Sequence, residues 1–156
     1  MKFTCIALTL MAAVGLLSSN SVRGADEPAL REPVKSVLDN YLKIQTDLVN
    51  DSITGLDARA NAIATAVKGD DAKTLSPDVA KQAETLAQAK DLKSAREAFK
   101  PLSDLLIKYL AAKKAGVGTY HEAYCPMVKA SWLQTGTAIR NPYEGKAMPD
   151  CGELKN

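Results

Sequence analysis

Asp91-Leu92-Lys93-Ser94-Ala95-Arg96-Glu97-Ala98-Phe99-Lys100-Pro101-Leu102-Ser103-Asp104-Leu105-Leu106-Ile107-Lys108-Tyr109 is the stretch that decides the fold class. Leu92, Ala95, Phe99, Leu102, Leu106 and Tyr109 step by three and four residues along it. That spacing is an a/d stripe on one face of a helix, and charged residues occupy the other face. Asp91 is placed to cap the helix start, since its carboxylate can accept from the free N–H groups of the first turn. Pro101 lies inside the pattern and is expected to kink or split the helix, because proline removes an N–H and crowds the preceding turn. Gly116 and Gly118 mark its end.

Three further helical segments precede it. Pro33 suits a first helical turn, and Val34, Val37, Leu38, Tyr41, Leu42, Ile44, Leu48 and Val49 recur behind it at helical spacing to about Asn50. An alanine-rich helix is predicted from about Thr54 to Lys68, with Leu56, Ala60, Ile63 and Val67 on its apolar face and Gly69-Asp70-Asp71 as its stop. Ser76-Pro77-Asp78 reads as an N-cap with proline just inside, opening a third helix to about Ala89. Four amphipathic segments with short links imply a mainly α protein, an up-and-down bundle of about four helices over residues 33–115. Core packing accounts for these stripes. None carries inward acids with a Glu-x-x-His, so a di-iron bundle site is not expected.

Composition agrees with helix. The 156 residues are 46% hydrophobic and only 5% aromatic, with a formal charge of +2 and three cysteines. Ample apolar content and small net charge exclude disordered and collagen-like classes. The basic excess and the odd cysteine both trace to residues 1–24, which have the form of a secretory signal peptide. Met1-Lys2 is a short basic start, Cys5 to Leu17 an apolar run too short to span a bilayer comfortably, and Val22 and Gly24 are small residues before a cut at Ala25. Lys2 and Arg23 leave with this segment and no acid does, so 18 basic face 18 acidic residues and the remaining charge is zero. Nucleic acid and anionic surfaces are then poor partners. The expectation is an exported protein, periplasmic or secreted, folded as one helical domain over residues 25–156 without a membrane span.

The character changes over residues 116–156. Gly116, Gly118, Pro126, Gly136, Pro142, Gly145, Pro149 and Gly152 predict an irregular, turn-rich segment packed on the bundle. It holds the single His, the single Trp, and every Cys and Met outside the leader. Trp132 reads as a core plug over the bundle end. Tyr120, Tyr124 and Tyr143 read as packing residues with polar tips.

The informative constellation is His121-x3-Cys125-Pro126-Met127 followed by Met148-Pro149-Asp150-Cys151. Proline discourages helix at Cys125, and in an extended chain residues two apart share a face, so the Cys125 thiol and the Met127 thioether are expected to converge. Met148 to Cys151 reads as a β-turn with proline at its second position, which brings its ends within about 7 Å. Thiolate with thioether is a soft donor set that favours Cu(I). Zinc fits less well, since CxxC-type spacing is absent. Cys125, Met127, Met148 and Cys151 are therefore the candidate ligands, with His121 as a fifth. The alternative is a Cys125–Cys151 disulfide, usual for two cysteines in an exported chain and worth about 3 kcal/mol for a loop of this length. Both remain open, and an oxidised resting form can coexist with a reduced metal-binding form. No catalytic set is recognisable, so an enzyme is not expected beyond a thiol redox role for Cys125.

Tyr124-Cys125-Pro126-Met127, Trp132-Leu133 and Ile139-Arg140-Asn141-Pro142-Tyr143-x-Gly145-x2-Met148-x2-Cys151-Gly152 resemble a bacterial domain-of-unknown-function family, number 3347. Ala95-Arg96-Glu97-Ala98-Phe99 and Leu102-Ser103-Asp104-Leu105-Leu106 are similar to the helix preceding that tail, and the resemblance covers about residues 33–155. It implies a small exported domain, also found fused to periplasmic adaptor subunits of Cus-type heavy-metal efflux pumps. By that resemblance, Cys125, Met127, Met148 and Cys151 handle copper, a component of such an efflux system is a partner, and no catalytic activity is implied.

Overall fold

A computed structural model describes residues 30–155 of the chain, so the signal peptide expected over residues 1–24 lies outside the described residues. Four helices come first: α1 Val34–Val49, α2 Leu56–Lys68, α3 Pro77–Ala87 and α4 Leu92–Lys113. Their buried faces are the predicted stripes. Val37, Leu38, Tyr41, Ile44 and Leu48 of α1 are fully buried, as are Ala60 and Ile63 of α2 and Ala95, Phe99 and Leu102 of α4. The predicted caps of α3 and α4 are present. Ser76 Oγ accepts from the Asp78 N–H at 3.2 Å. Asp91 Oδ1 accepts from the Ser94 N–H at 2.7 Å, and the Ser94 side chain closes a capping box on the Asp91 N–H.

Two details of α4 differ from expectation. The helix runs unbroken through Pro101, and it ends at Lys114, which adopts a left-handed conformation at φ 50°, ahead of the two glycines. An interior proline costs about 3 kcal/mol. Phe99 and Leu102 flank it on the core face, and burying each contributes about 1.5–3 kcal/mol. Tertiary packing on both sides therefore holds the helix together across the missing bond.

The tail is more regular than the sequence implied. Strands β1 His121–Cys125, β2 Ala130–Gln134 and β3 Glu153–Leu154 form an antiparallel sheet in the order β2-β1-β3, with a short 3-10 turn at Gly145–Ala147 before β3. β1 and β2 are a hairpin in register from His121↔Gln134 to Cys125↔Ala130. The strands escaped a period-2 reading because β2 is buried on both sides: Ala130, Trp132, Leu133 and Gln134 are all inside.

Consecutive helices pack on one another, and β2 packs on α4 and reaches α1. The sheet thus fills the seam between the first and last helices. Tyr41 of α1 stacks on Phe99 of α4 at 4.7 Å, and Tyr143 links Phe99 to the buried Trp132. Tyr41 Oη contacts Ser103 Oγ at 2.8 Å and accepts from the Leu133 N–H at 3.0 Å. A buried hydroxyl therefore ties α1, α4 and β2 together. Among the described residues no helix is long and apolar enough to cross a membrane.

Candidate functional site

The sheet and the last loop bring Cys125 and Cys151 together. Cys125 ends β1 on its inward face and is 0% exposed, whereas Cys151 lies half-buried just before β3. Their sulfurs are 3.2 Å apart, and both thiols are free. Residues Met148 to Cys151 form the predicted turn, closed by the Cys151 N–H on the Met148 carbonyl at 3.3 Å.

Asn141, 0% exposed, positions both cysteine segments. Its side-chain amide donates to the Cys151 carbonyl at 2.7 Å and lies close enough to Cys125 to favour its thiolate. Its Oδ1 accepts from the Tyr143 N–H at 2.8 Å and the Glu144 N–H at 3.1 Å. Its backbone N–H donates to the Pro149 carbonyl at 2.7 Å. An Asn-Pro turn is a local signal for such side-chain-to-backbone bonding, but the contact with Cys125 needs the fold. Gly152, which the sequence offers only as a turn residue, is the second residue whose role the fold supplies. At φ +143° its backbone lies against the β1 carbonyl at Tyr124 and the Trp132 ring, where a Cβ would come within 2.8 and 2.9 Å.

The two thiols differ electrostatically. Burial pushes the Cys125 thiol up, but the N–H groups of Val128 and Met127, the Cys151 thiol and the Asn141 amide all donate to its sulfur and hold it below its ordinary value. Cys151 is raised, chiefly because it donates to Cys125, and further by burial and the nearby charges of Cys125, Glu144 and Asp150.

The other candidates are arranged differently. The chain reverses immediately after Cys125 into the hairpin turn, so the same-face rule for an extended strand does not reach Met127. Met127 is 62% exposed beside a fully buried Cys125. Its backbone N–H contributes to holding the Cys125 thiol low. Met148 is half-buried at the start of the Cys151 turn. His121 stands four residues from Cys125 on one strand, about 13 Å away at 3.3 Å per residue. It borders a surface cavity of about 520 Å³ shared with Leu110, Val117 and Tyr120, so the fold separates it from the cysteines. Among the described residues no group of three or more His, Cys, Asp or Glu is arranged to hold a metal ion. The soft donors brought together are the two sulfurs, with methionines adjacent in the chain.

A second cluster anchors the tail to the bundle. Arg96 of α4 donates to Asp51 Oδ1 at 2.6 Å, to the Leu48 carbonyl at 3.1 Å and to the Pro142 carbonyl at 2.9 Å. Gly145 makes room for this, since a Cβ there would occupy the space of the Asp51 carboxylate and the Arg96 guanidinium.

No curated protein and no solved structure matches the chain. A family model described as a protein of unknown function (DUF3347) matches residues 37–117, just over half of the chain. The match spans α1 to the end of α4, including the Ala95–Leu106 stretch, and leaves the cysteine-bearing tail beyond it. The chain belongs to the DUF3347 family of proteins of unknown function.

Proposed function

We propose that the reduced Cys125–Cys151 pair is an acceptor for Cu(I), carried as cargo by an exported protein that buffers the ion or passes it to a component of a heavy-metal efflux system. The observation behind this reading is the meeting of two free sulfurs from opposite ends of the tail, 3.2 Å apart. Cu(I) is a soft ion that accepts as few as two thiolates, so the donor types suit it without a third charged ligand, and the sulfurs move apart from 3.2 Å to admit it. The N–H groups on Cys125 supply the outer hydrogen bonds that thiolate ligands use. Met127 and Met148 are the neighbouring thioethers that would complete the set. The distance of His121 removes it from the set. Uptake displaces the thiol proton, so affinity rises with pH.

Titration of the reduced protein with Cu(I) against a chromophoric chelator tests this reading. One equivalent is expected to bind, and a Cys125→Ser/Cys151→Ser variant is expected to lose at least ~100-fold in affinity. An unchanged affinity in that variant overturns the site.

A second reading has its own support. The same sulfur contact makes the pair ready to close as a staple over a 26-residue separation, leaving an interaction module without metal. A thiol count by intact mass on the exported protein, before any reductant is added, separates the two: a fully bridged population in the compartment favours the staple.

A further inference from the structure

The two sulfurs are unequal in access and in hydrogen bonding, and a purely structural staple needs neither inequality. Cys125 is sealed inside, beneath the hairpin turn, and Cys151 is half-exposed on the adjoining loop. The N–H groups of Met127 and Val128 and the Asn141 amide favour the Cys125 thiolate against the opposing effect of burial. The same amide holds the Cys151 carbonyl at 2.7 Å, so the donors and both cysteine segments form one frame.

We propose that the oxidised pair is a thiol–disulfide exchange site, in which Cys151 Sγ takes the incoming thiolate and Cys125 Sγ is the departing one. Its substrates are exposed dithiols of exported proteins or small thiols. Exchange requires in-line approach to one sulfur of the bridge, with the other leaving along the same axis. Only Cys151 offers an exposed side for that approach. The incoming thiolate forms a bond to Cys151 Sγ, the Cys151–Cys125 bond breaks, and its electron pair leaves on Cys125. The Met127, Val128 and Asn141 donors meet that charge where it forms, and a better-stabilised leaving thiolate leaves faster. A second thiolate of the substrate then attacks the substrate sulfur of the mixed disulfide and releases Cys151 as thiolate. The substrate's two thiols become a disulfide and this chain's disulfide becomes two thiols, so two electrons pass; a disulfide oxidant such as oxidised glutathione forms and restores the bridge by the reverse exchange. The exposed flank at Cys151 keeps the bridge labile. The inference needs the same sulfurs as the copper reading but no metal.

The test uses the full protein with a metal chelator present. The pair is oxidised with oxidised glutathione, then exposed to reduced glutathione, quenched in acid at intervals and mapped by peptide mass. The expected result is a transient glutathione adduct on Cys151, exceeding any on Cys125 by ~10-fold or more. A Cys125→Ser variant should accumulate a stable adduct on Cys151, and a Cys151→Ser variant should leave Cys125 unmodified while folded. An adduct on Cys125, an equal division, a bridge that never forms, or one that glutathione does not open would each overturn the proposal. Failed exchange with intact Cu(I) binding removes this inference alone, and exchange without Cu(I) binding removes the copper reading alone.

Discussion

Gly152 shows how much one missing side chain accomplishes. It follows Cys151, and its φ of +143° is a backbone state that L side chains rarely adopt. The space a Cβ would need is held by backbone at Tyr124 and by the rigid Trp132 ring, and neither yields as a flexible side-chain tip would. Gly152→Ala is therefore expected to lower the unfolding free energy by about 1–3 kcal/mol, read from urea denaturation. The same variant should speed alkylation of Cys125, because β3 and the Cys151 loop must lift to make room. An unchanged urea midpoint would show that the approach is not tight. In the sequence Gly152 was legible only as a turn residue. Its partner Trp132 is twenty positions away, and no local pattern encodes that contact.

The helices were legible because each buries one face, and a buried face imposes a period of three and four on its residues. The boundaries of α3 and α4 followed from Ser76 and Asp91, whose side chains satisfy N–H groups that any helix start leaves free. The split allowed for at Pro101 does not occur, since the proline's intrinsic cost is local and its compensation is not. Restoring the N–H with Pro101→Ala, where α4 is already continuous through the position, should raise stability by about 1–2 kcal/mol, a part of the full proline penalty. Thermal unfolding checks this, and a lowered Tm would mean that the ring itself is part of the core. The strands were missed for the opposite reason. β1 and β2 are five residues each, and β2 is buried on both faces, so it carries no alternation to read.

Arg96 connects the whole molecule. It joins the end of α1, the start of α4 and the segment that leads back to Cys151. The Arg96 side chain holds the Asp51 carboxyl below the usual carboxylate range, against the upward push of burial, and the Lys146 N–H adds to the effect. A depressed folded value means that stability is fully present above the unfolded value of about 3.9 and is lost as pH falls through the folded one. Urea midpoints measured from about pH 7 to about pH 3 should therefore fall on the acid side, beginning near pH 5. Asp51→Asn should flatten part of that limb. It leaves the shares of Asp70 and Asp91, which backbone N–H groups of Thr74 and Ser94 hold low. Asp47, raised by burial despite its pair with Arg59, acts in the opposite sense. An acid limb identical in the variant would remove Asp51 from the linkage.

Periodicity, caps and composition were enough to specify four helices, their faces and most of their ends, because these follow from interactions within about four residues of chain. Cysteine and methionine spacing picked out the tail segment and the Met148–Cys151 turn for the same reason. The meeting of Cys125 with Cys151, the loss of His121 from their neighbourhood and the outward turn of Met127 were decided by tertiary structure. They depend on the β1–β2 reversal and on β3 returning beside β1. That return is held by Asn141, Gly152 and the Arg96 anchor, whose partners lie far along the chain. Long-range hydrogen bonds and close backbone approach leave no periodic trace, so the donor set could be named from the sequence but only the fold could say which donors meet.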